Sequence, residues 1–245
     1  MKNNNKFRLD VWGAITLGTI ALYALFLLYP MAYLIRQSVL DPDTGGFTLA
    51  YFTKFFSKSY YFDTLINSFK VSITATVLSI AIGTPLAYLF TIFKIKGKSV
   101  LNILIVVASM SAPFIGAYSW ILLLGRSGVI TAFFKNLGIA IPDIYGFGGI
   151  VLVMTLQLFP LVFLYAKGAL KNIDNSLIEA AENLGCSGIV CFFKVVVPLI
   201  MPTLLAAALL VFMRSFADFG TPMLIGEGYR TFPVVLYTEF INEVG

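Results

Sequence analysis

Few side chains in this sequence could do chemistry, and their kinds limit what that chemistry is. Histidine is absent from all 245 residues. Without it no catalytic triad, imidazole proton relay or histidine metal site can be built. Cys186 and Cys191 stand five apart. Two thiols make no disulfide framework, and without histidine they make a poor zinc site. They read as small buried or interfacial residues. No Gly-rich loop that would cradle phosphates is present, so the chain does not bind ATP by that route. We therefore assign no catalytic residue, no metal ligand and no cofactor. The polar groups that remain can dock, orient or line a path. They are Gln157 inside a long uncharged run, Glu179 in a charged loop, and Arg214 and Asp218 four apart near a Phe219-Gly220 pair.

The elements that must position these residues follow from composition. Apolar residues make up 59% of the chain and charged residues 12%. A soluble domain is about 45–50% apolar and about 25% charged. Half the usual charge cannot cover a soluble globule of this size. With 23 Phe, 12 Tyr and 2 Trp, the chain is not low-complexity either. Five stretches carry no charge: 11–35, 71–93, 99–125, 144–166 and 195–213. A hydrocarbon core about 30 Å thick takes about 20 helical residues. Backbone groups in lipid must satisfy one another, so each stretch predicts a spanning helix. Long unbroken runs without period-2 alternation argue against a membrane barrel. The fold class is an all-α polytopic helical bundle with five spans. The first run is longer than a signal-peptide core and is kept as a span.

Sidedness follows from Lys and Arg. With the N-terminus inside, the inner segments are 1–10, 94–98 and 167–194. They hold nine basic residues, including Lys2, Lys6, Arg8 and Lys94, against four acidic ones, while the outer segments hold eight of each. The net charge of +5 thus falls on one face, and membrane topology explains it without nucleic acid. Five spans leave the last stretch, 231–245, outside and apolar, so a sixth span is expected next. The chain reads as truncated before that span, or as the N-terminal half of a fused polypeptide.

Pro30, Pro85, Pro113, Pro160, Pro198 and Pro202 fall in or beside the spans. Each removes a helix hydrogen bond and invites a kink. No Asp, Glu, Lys or Arg lies within a span. Such a charge costs roughly 2.5–3.5 kcal/mol or more and is retained for ion and proton pathways. Its absence argues against a proton-driven transporter, a voltage sensor and a carboxylate-based intramembrane enzyme. Uphill transport would need energy from a partner. Gln157 has two readings, an interhelical hydrogen bond or a path-lining side chain.

The loop 167–194 is the most legible region. Ser176-Leu177-Ile178-Glu179 is a capping-box sequence, Ala180 to Leu184 are mostly good helix formers, and Gly185 supplies a stop. A short helix over about 177–184 is predicted, with Leu177, Ala181 and Leu184 on one face. Ser187-Gly188 can start a second helix running through Phe192 and Phe193. From the residues alone this is either a surface helix that Glu179 caps or a peg for a cytoplasmic partner.

Glu179-Ala180-Ala181, Gly185 and then Val195-x-Val197-Pro198 resemble the EAA loop of ATP-binding-cassette (ABC) importer permeases, E-A-A-x3-G-x9-I-x-L-P. The spacing matches throughout, with two valines replacing isoleucine and leucine. The chain as a whole resembles the type I, MetI-like permeases. The resemblance implies one permease domain over 1–245, with a coupling loop over 172–198. Glu179, Ala180, Ala181 and Gly185 would contact a cytoplasmic ATP-binding subunit. It also implies two such subunits, a second permease half, an extracytoplasmic solute-binding protein and a cell-membrane location.

Beyond the fifth span, Arg214 and Asp218 have i, i+4 spacing and could pair, or Asp218 could meet a cation. Phe219-Gly220 and Thr221-Pro222 should end the helix. The Asp218-Phe219-Gly220-Thr221-Pro222 string is similar to permeases of the iron(III), polyamine and phosphonate branch. In that family the helix breaks beside the solute path, which makes Asp218, Phe219 and Gly220 path candidates with Gln157. Eight aromatics in residues 47–62 predict an interfacial segment, and 127–143 a second one. The rival readings are an ATP-independent channel or secondary transporter, and a membrane enzyme; the missing histidines and charge-free spans disfavour the latter.

Overall fold

The computed structural model describes residues 11–41, 44–93, 96–139, 142–186 and 188–244. Lys2, Lys6, Arg8 and Lys94 of the sidedness argument lie outside the described residues, as does Ser187 at the expected start of the second loop helix. The chain divides into two compact units, one ending at Phe62 and one beginning at Asp63.

In the first unit, α1 (Val11–Val39) is an apolar rod with no buried residue. Its helix widens into a π turn at Ala24–Leu28, just before Pro30. Pro30 cannot donate to the carbonyl one turn back and its ring crowds that turn; the extra residue of a π turn relieves both. The short helix α2 (Ala50–Ser57) occupies the aromatic segment.

The second unit is built around α7 (Phe147–Lys171). Around it lie α3 (Ser59–Ile92), α4 (Lys98–Ser109), α5 (Pro113–Leu124), α6 (Val129–Asn136), α8 (Asn175–Asn183), α9 (Gly188–Phe216), α10 (Gly220–Ile225) and α11 (Phe232–Val244). Among the described residues of both units, five helical stretches are long and apolar enough to cross a membrane: α1, α3, α5 with α6 (Pro113–Asn136), α7 and α9; α4 and the apolar part of α11, Phe232–Ile241, are shorter.

The expectation of one helix over 99–125 is corrected. That run is two helices, α4 and α5, separated at Met110 to Ala112. Pro113 is the cause. It has no N–H for the Ser109 carbonyl, and it drives Ala112 to extended backbone (ψ 141°). A second π turn, Phe192–Val196, precedes Pro198 within α9, repeating the arrangement in α1.

Two apolar cores form at the two ends of α7. At one end Ile150, Val153 and Met154 pack with Val71 and Ala75 of α3, Ala117 of α5 and Ile225 of α10. At the other, Val162, Phe163 and Ala166 pack with Ala87 and Phe90 of α3 and with Val196, Ile200 and Leu204 of α9. Besides Val71 and Phe90, the buried face of α3 is mostly small residues, among them Ser68, Ser72, Ala75, Ser79, Gly83 and Ala87. Lipid offers no hydrophobic drive between helices, so close approach by small residues takes its place. At Gly83 a Cβ would fall 2.8 Å from the Val162 Cβ and 2.9 Å from the Phe159 carbonyl oxygen.

Near the α5–α6 turn, Arg126 bridges Asp143 (3.0 Å) and Glu227 (2.9 Å). Its guanidinium lies 4.7 Å from the Tyr145 ring centroid. One arginine thereby ties three loops together.

Gly83→Val should force α3 from α7 and cost about 1–3 kcal/mol by overpacking. Thermal unfolding of the detergent-solubilised chain measures this. An unchanged midpoint would contradict the packing described.

Candidate functional site

Two places gather the residues singled out by sequence. The first is the loop helix α8. It begins two residues earlier than expected, and the cap is not Ser176. The Asp174 carboxylate accepts the Ser176 backbone N–H (3.0 Å), and the Asp174 carbonyl accepts the Leu177 N–H (3.1 Å). The backbone N–H of Ser176, and its side chain after it, hold the Asp174 carboxyl below the usual carboxylate range. Asp174 thus fills the role expected of Ser176, and its acidic group sits at the helix N-terminus. Glu179 accepts no hydrogen bond among the described residues and is exposed.

The other end of α8 is closed as the sequence predicts. Gly185 takes a left-handed conformation (φ +84°). The Cys186 N–H then bonds back to the Ala181 carbonyl (3.0 Å), the six-to-one bond of a Schellman stop. The expected apolar stripe, however, does not face the protein. Leu177 is 50% exposed and Leu184 89% exposed. Ile178, with Ile173 just before the helix, packs on the core around Phe192 and Val196 instead. The outward surface of α8 therefore carries Leu177, Glu179, Ala180 and Leu184.

The second place is a cleft of about 440 Å³ beside the middle of α7, between the two apolar cores. It is lined by Gln157 of α7, Ser109 and Ser111 at the α4–α5 break, Phe114 of α5, and Arg214, Asp218, Phe219 and Gly220 at the α9–α10 break. The structure thus brings all four path candidates, Gln157, Asp218, Phe219 and Gly220, into one cavity. It adds Ser109, Ser111, Phe114 and Arg214, which the sequence reading left out of the path. The Ser109-x-Ser111-x-Pro113 string was the available signal: polar residues grouped at a forced break. The Phe219 ring lies 5.7 Å from Phe114 and 4.5 Å from Tyr237, forming an aromatic wall. The Gln157 amide nitrogen is buried without a hydrogen-bond partner among the described residues. Gly116 gives it room, since a Cβ there would lie 2.2 Å from that nitrogen.

Asp218 does not pair with Arg214; no ion pair joins them among the described residues. The Asp218 carboxylate accepts the Gly220 N–H (2.9 Å), the Thr221 N–H (3.3 Å) and the Thr221 hydroxyl (2.7 Å). The reason is that α9 ends at Phe216. Asp218 lies past the helix, so helical i, i+4 geometry does not apply to it. It caps α10 instead, and Gly220 starts a helix where the sequence predicted only a stop.

Comparison with known proteins identifies the family and the fold. The family described as binding-protein-dependent transport system inner membrane component matches residues 44–243. The ferric transport system permease protein FbpB of Actinobacillus pleuropneumoniae is 28% identical, covering 97% of this chain and 34% of its own length. The chain thus spans about a third of the ferric permeases it matches. The spermidine/putrescine transport system permease protein PotB of Haemophilus influenzae is 28% identical, covering 97% of this chain and 85% of its own length. Among solved structures, a chain of a bacterial alginate ABC transporter, crystallised with an alginate-pentasaccharide-bound periplasmic protein, superposes with a TM-score of 0.77. It is 16% identical, with 96% of this chain and 84% of that chain covered.

Asp218→Ala should remove the α10 cap and cost about 1–2 kcal/mol of stability. Arg214→Gln should stay within about 0.5 kcal/mol, since it breaks no ion pair. Equal losses in thermal unfolding of the two variants would restore an Arg214–Asp218 pair.

Proposed function

This chain belongs to the family of binding-protein-dependent transport system inner membrane components, and on that premise we propose that it forms the solute path of an ABC importer and receives its power stroke through α8. The whole chain, 1–245, acts as one permease domain, and residues 172–198 are its coupling loop. Its N-terminus is cytoplasmic. Two cytoplasmic ATP-binding subunits, a second permease half and an extracytoplasmic solute-binding protein complete the complex. Hydrolysis takes place on the ATP-binding partner, and this chain is not itself an enzyme.

One observation carries the reading: α8 is fixed at both ends and left open along its outer side. Asp174 closes its start and Gly185 its finish. Ile178 anchors it to the protein, while Leu184 and Glu179 project from it. An exposed leucine beside an unpaired carboxylate and two alanines offers a partner an apolar anchor, a charge and close backbone approach. Glu179, Ala180, Ala181 and Gly185 are the coupling residues. Ala181 is half-buried and lets α8 lie close to the chain; Gly185 sets the turn back into α9.

The cleft is the path. Its break-point carbonyls, Ser109, Ser111 and Gln157 supply polar contacts, and Phe114 and Phe219 an apolar wall. The relatives named for ferric and for spermidine/putrescine transport support a small solute of the iron(III) or polyamine kind; the phosphonate alternative rests on the Asp218–Pro222 string alone. Arg214 and Asp218 line the cleft, but Asp218 is engaged by Gly220 and Thr221; what favours a nucleotide-powered importer over a secondary transporter is the family match over residues 44–243.

Glu179→Lys tests the coupling. We expect at least a tenfold loss of uptake of labelled ferric iron, spermidine or a phosphonate, whichever the intact importer carries. The ATP-binding subunit should still co-purify and hydrolyse ATP. Uptake at the unaltered rate with that subunit bound would overturn the assignment.

A further inference from the structure

At the α8 end of α7 three lysines are gathered that neither the coupling loop nor the cleft uses. Lys167 and Lys171 lie at the end of α7, and Lys98 opens α4. Lys167 Nζ donates to the Asn102 Oδ1 of α4, which pins the two helices together there. The same ammonium stands 5.3 Å from the Phe163 ring centroid. Lys98 stands one turn before Asn102 on α4 and Lys171 one turn after Lys167 on α7, so both lie beside that bond. Among the described residues no carboxylate forms an ion pair with any of the three. Asp174, the nearest acid along the chain, has its carboxylate turned to the α8 cap.

Three lysines on neighbouring turns of α4 and α7 without an ion-paired carboxylate among the described residues repel one another. Lys167 and Lys98 are half-buried between helices, where solvent screens them less than at an open surface. The arrangement calls for an anion. Depth says which kind. Residues 147–166 of α7 are twenty without charge, about 30 Å of helix at 1.5 Å per residue. That equals the hydrocarbon thickness of a bilayer, so Lys167 falls at the headgroup level. Lys98 likewise marks the charged end of the apolar run of α4. On the flank of α4 beside Lys98, Leu101 and Leu104 are exposed, one turn apart. A phosphate with an attached acyl chain satisfies both features; free phosphate satisfies only the first.

We infer that Lys98, Lys167 and Lys171 form a binding site for the phosphodiester headgroup of an anionic phospholipid, whose acyl chain runs along Leu101 and Leu104. The site is independent of the transport reading above. It places a lipid against α7 and α4 at the root of the loop helix. A basic cleft between membrane helices at the headgroup level is suited to such lipids, and each lysine near the surface adds appreciably to the attraction.

Native mass spectrometry of the full chain, extracted in mild detergent and exposed to mixed phosphatidylglycerol and phosphatidylcholine, reads this directly. The unaltered chain should retain phosphatidylglycerol about tenfold over phosphatidylcholine. The double variant Lys98→Gln/Lys171→Gln should lose that preference, while Lys98→Arg/Lys171→Arg keeps it, which separates lost charge from lost folding. Lys167 is left in place because it holds Asn102. Millimolar inorganic phosphate should not displace the lipid. Equal retention of the two lipids by the unaltered chain, an unchanged preference in the glutamine variant, or displacement by inorganic phosphate would each overturn the inference; the last would make it a free-anion site.

Discussion

A backbone amide or carbonyl left unpaired in hydrocarbon costs several kcal/mol, and the layout of the second unit depends on where that cost can be avoided. Two helices end beside the middle of α7: α4 at Ser109, because Pro113 follows, and α9 at Phe216. Both breaks open onto the same cleft beside Gln157. There the Met110 and Ser111 N–H groups bond back to Val107 and Ala108, and Asp218 satisfies the first N–H groups of α10. Elsewhere α7 and α9 run unbroken. Even their prolines are absorbed, Pro160 and Pro202 within the helix and Pro198 behind a π turn.

That layout connects the two functional places mechanically. The helix α9 runs from Gly188, just after the Gly185 turn, to Phe216 at the cleft. Its 29 residues make a rod about 43 Å long. The helix α7 leads from the mouth of the loop back to Gln157. Under the proposed function, a pull on α8 reaches both walls of the cleft through packed helices, with the Phe163–Val196–Ile200 core as the coupling between them. No charged group within the membrane is required.

Much of this was legible in the sequence, and the exceptions have definite causes. Charge-free length revealed the spans, because lipid filters for that property alone. It could not reveal the break at 109–113, since a break in an apolar run changes no charge; only Pro113 marked it. The end of α8 was readable at Gly185 because a left-handed stop is a local event. Its start was misread because Ser176 and Glu179 mimic a capping box while Asp174, two residues earlier, takes the helix N-terminus. The Arg214–Asp218 pair failed for a related reason: spacing implies contact only where the helix continues. Ser109, Ser111 and Arg214 joined Gln157 in the cleft through long-range packing that no local pattern encodes.

The most direct measurement of the central claim is photo-crosslinking from the outer side of α8. A benzophenone amino acid placed at Leu184 in the assembled complex, isolated from native membranes, should form its main adduct with the ATP-binding subunit. The same probe at Phe133 of α6 should not. Adducts from position 184 confined to lipid or to this chain itself would contradict the account.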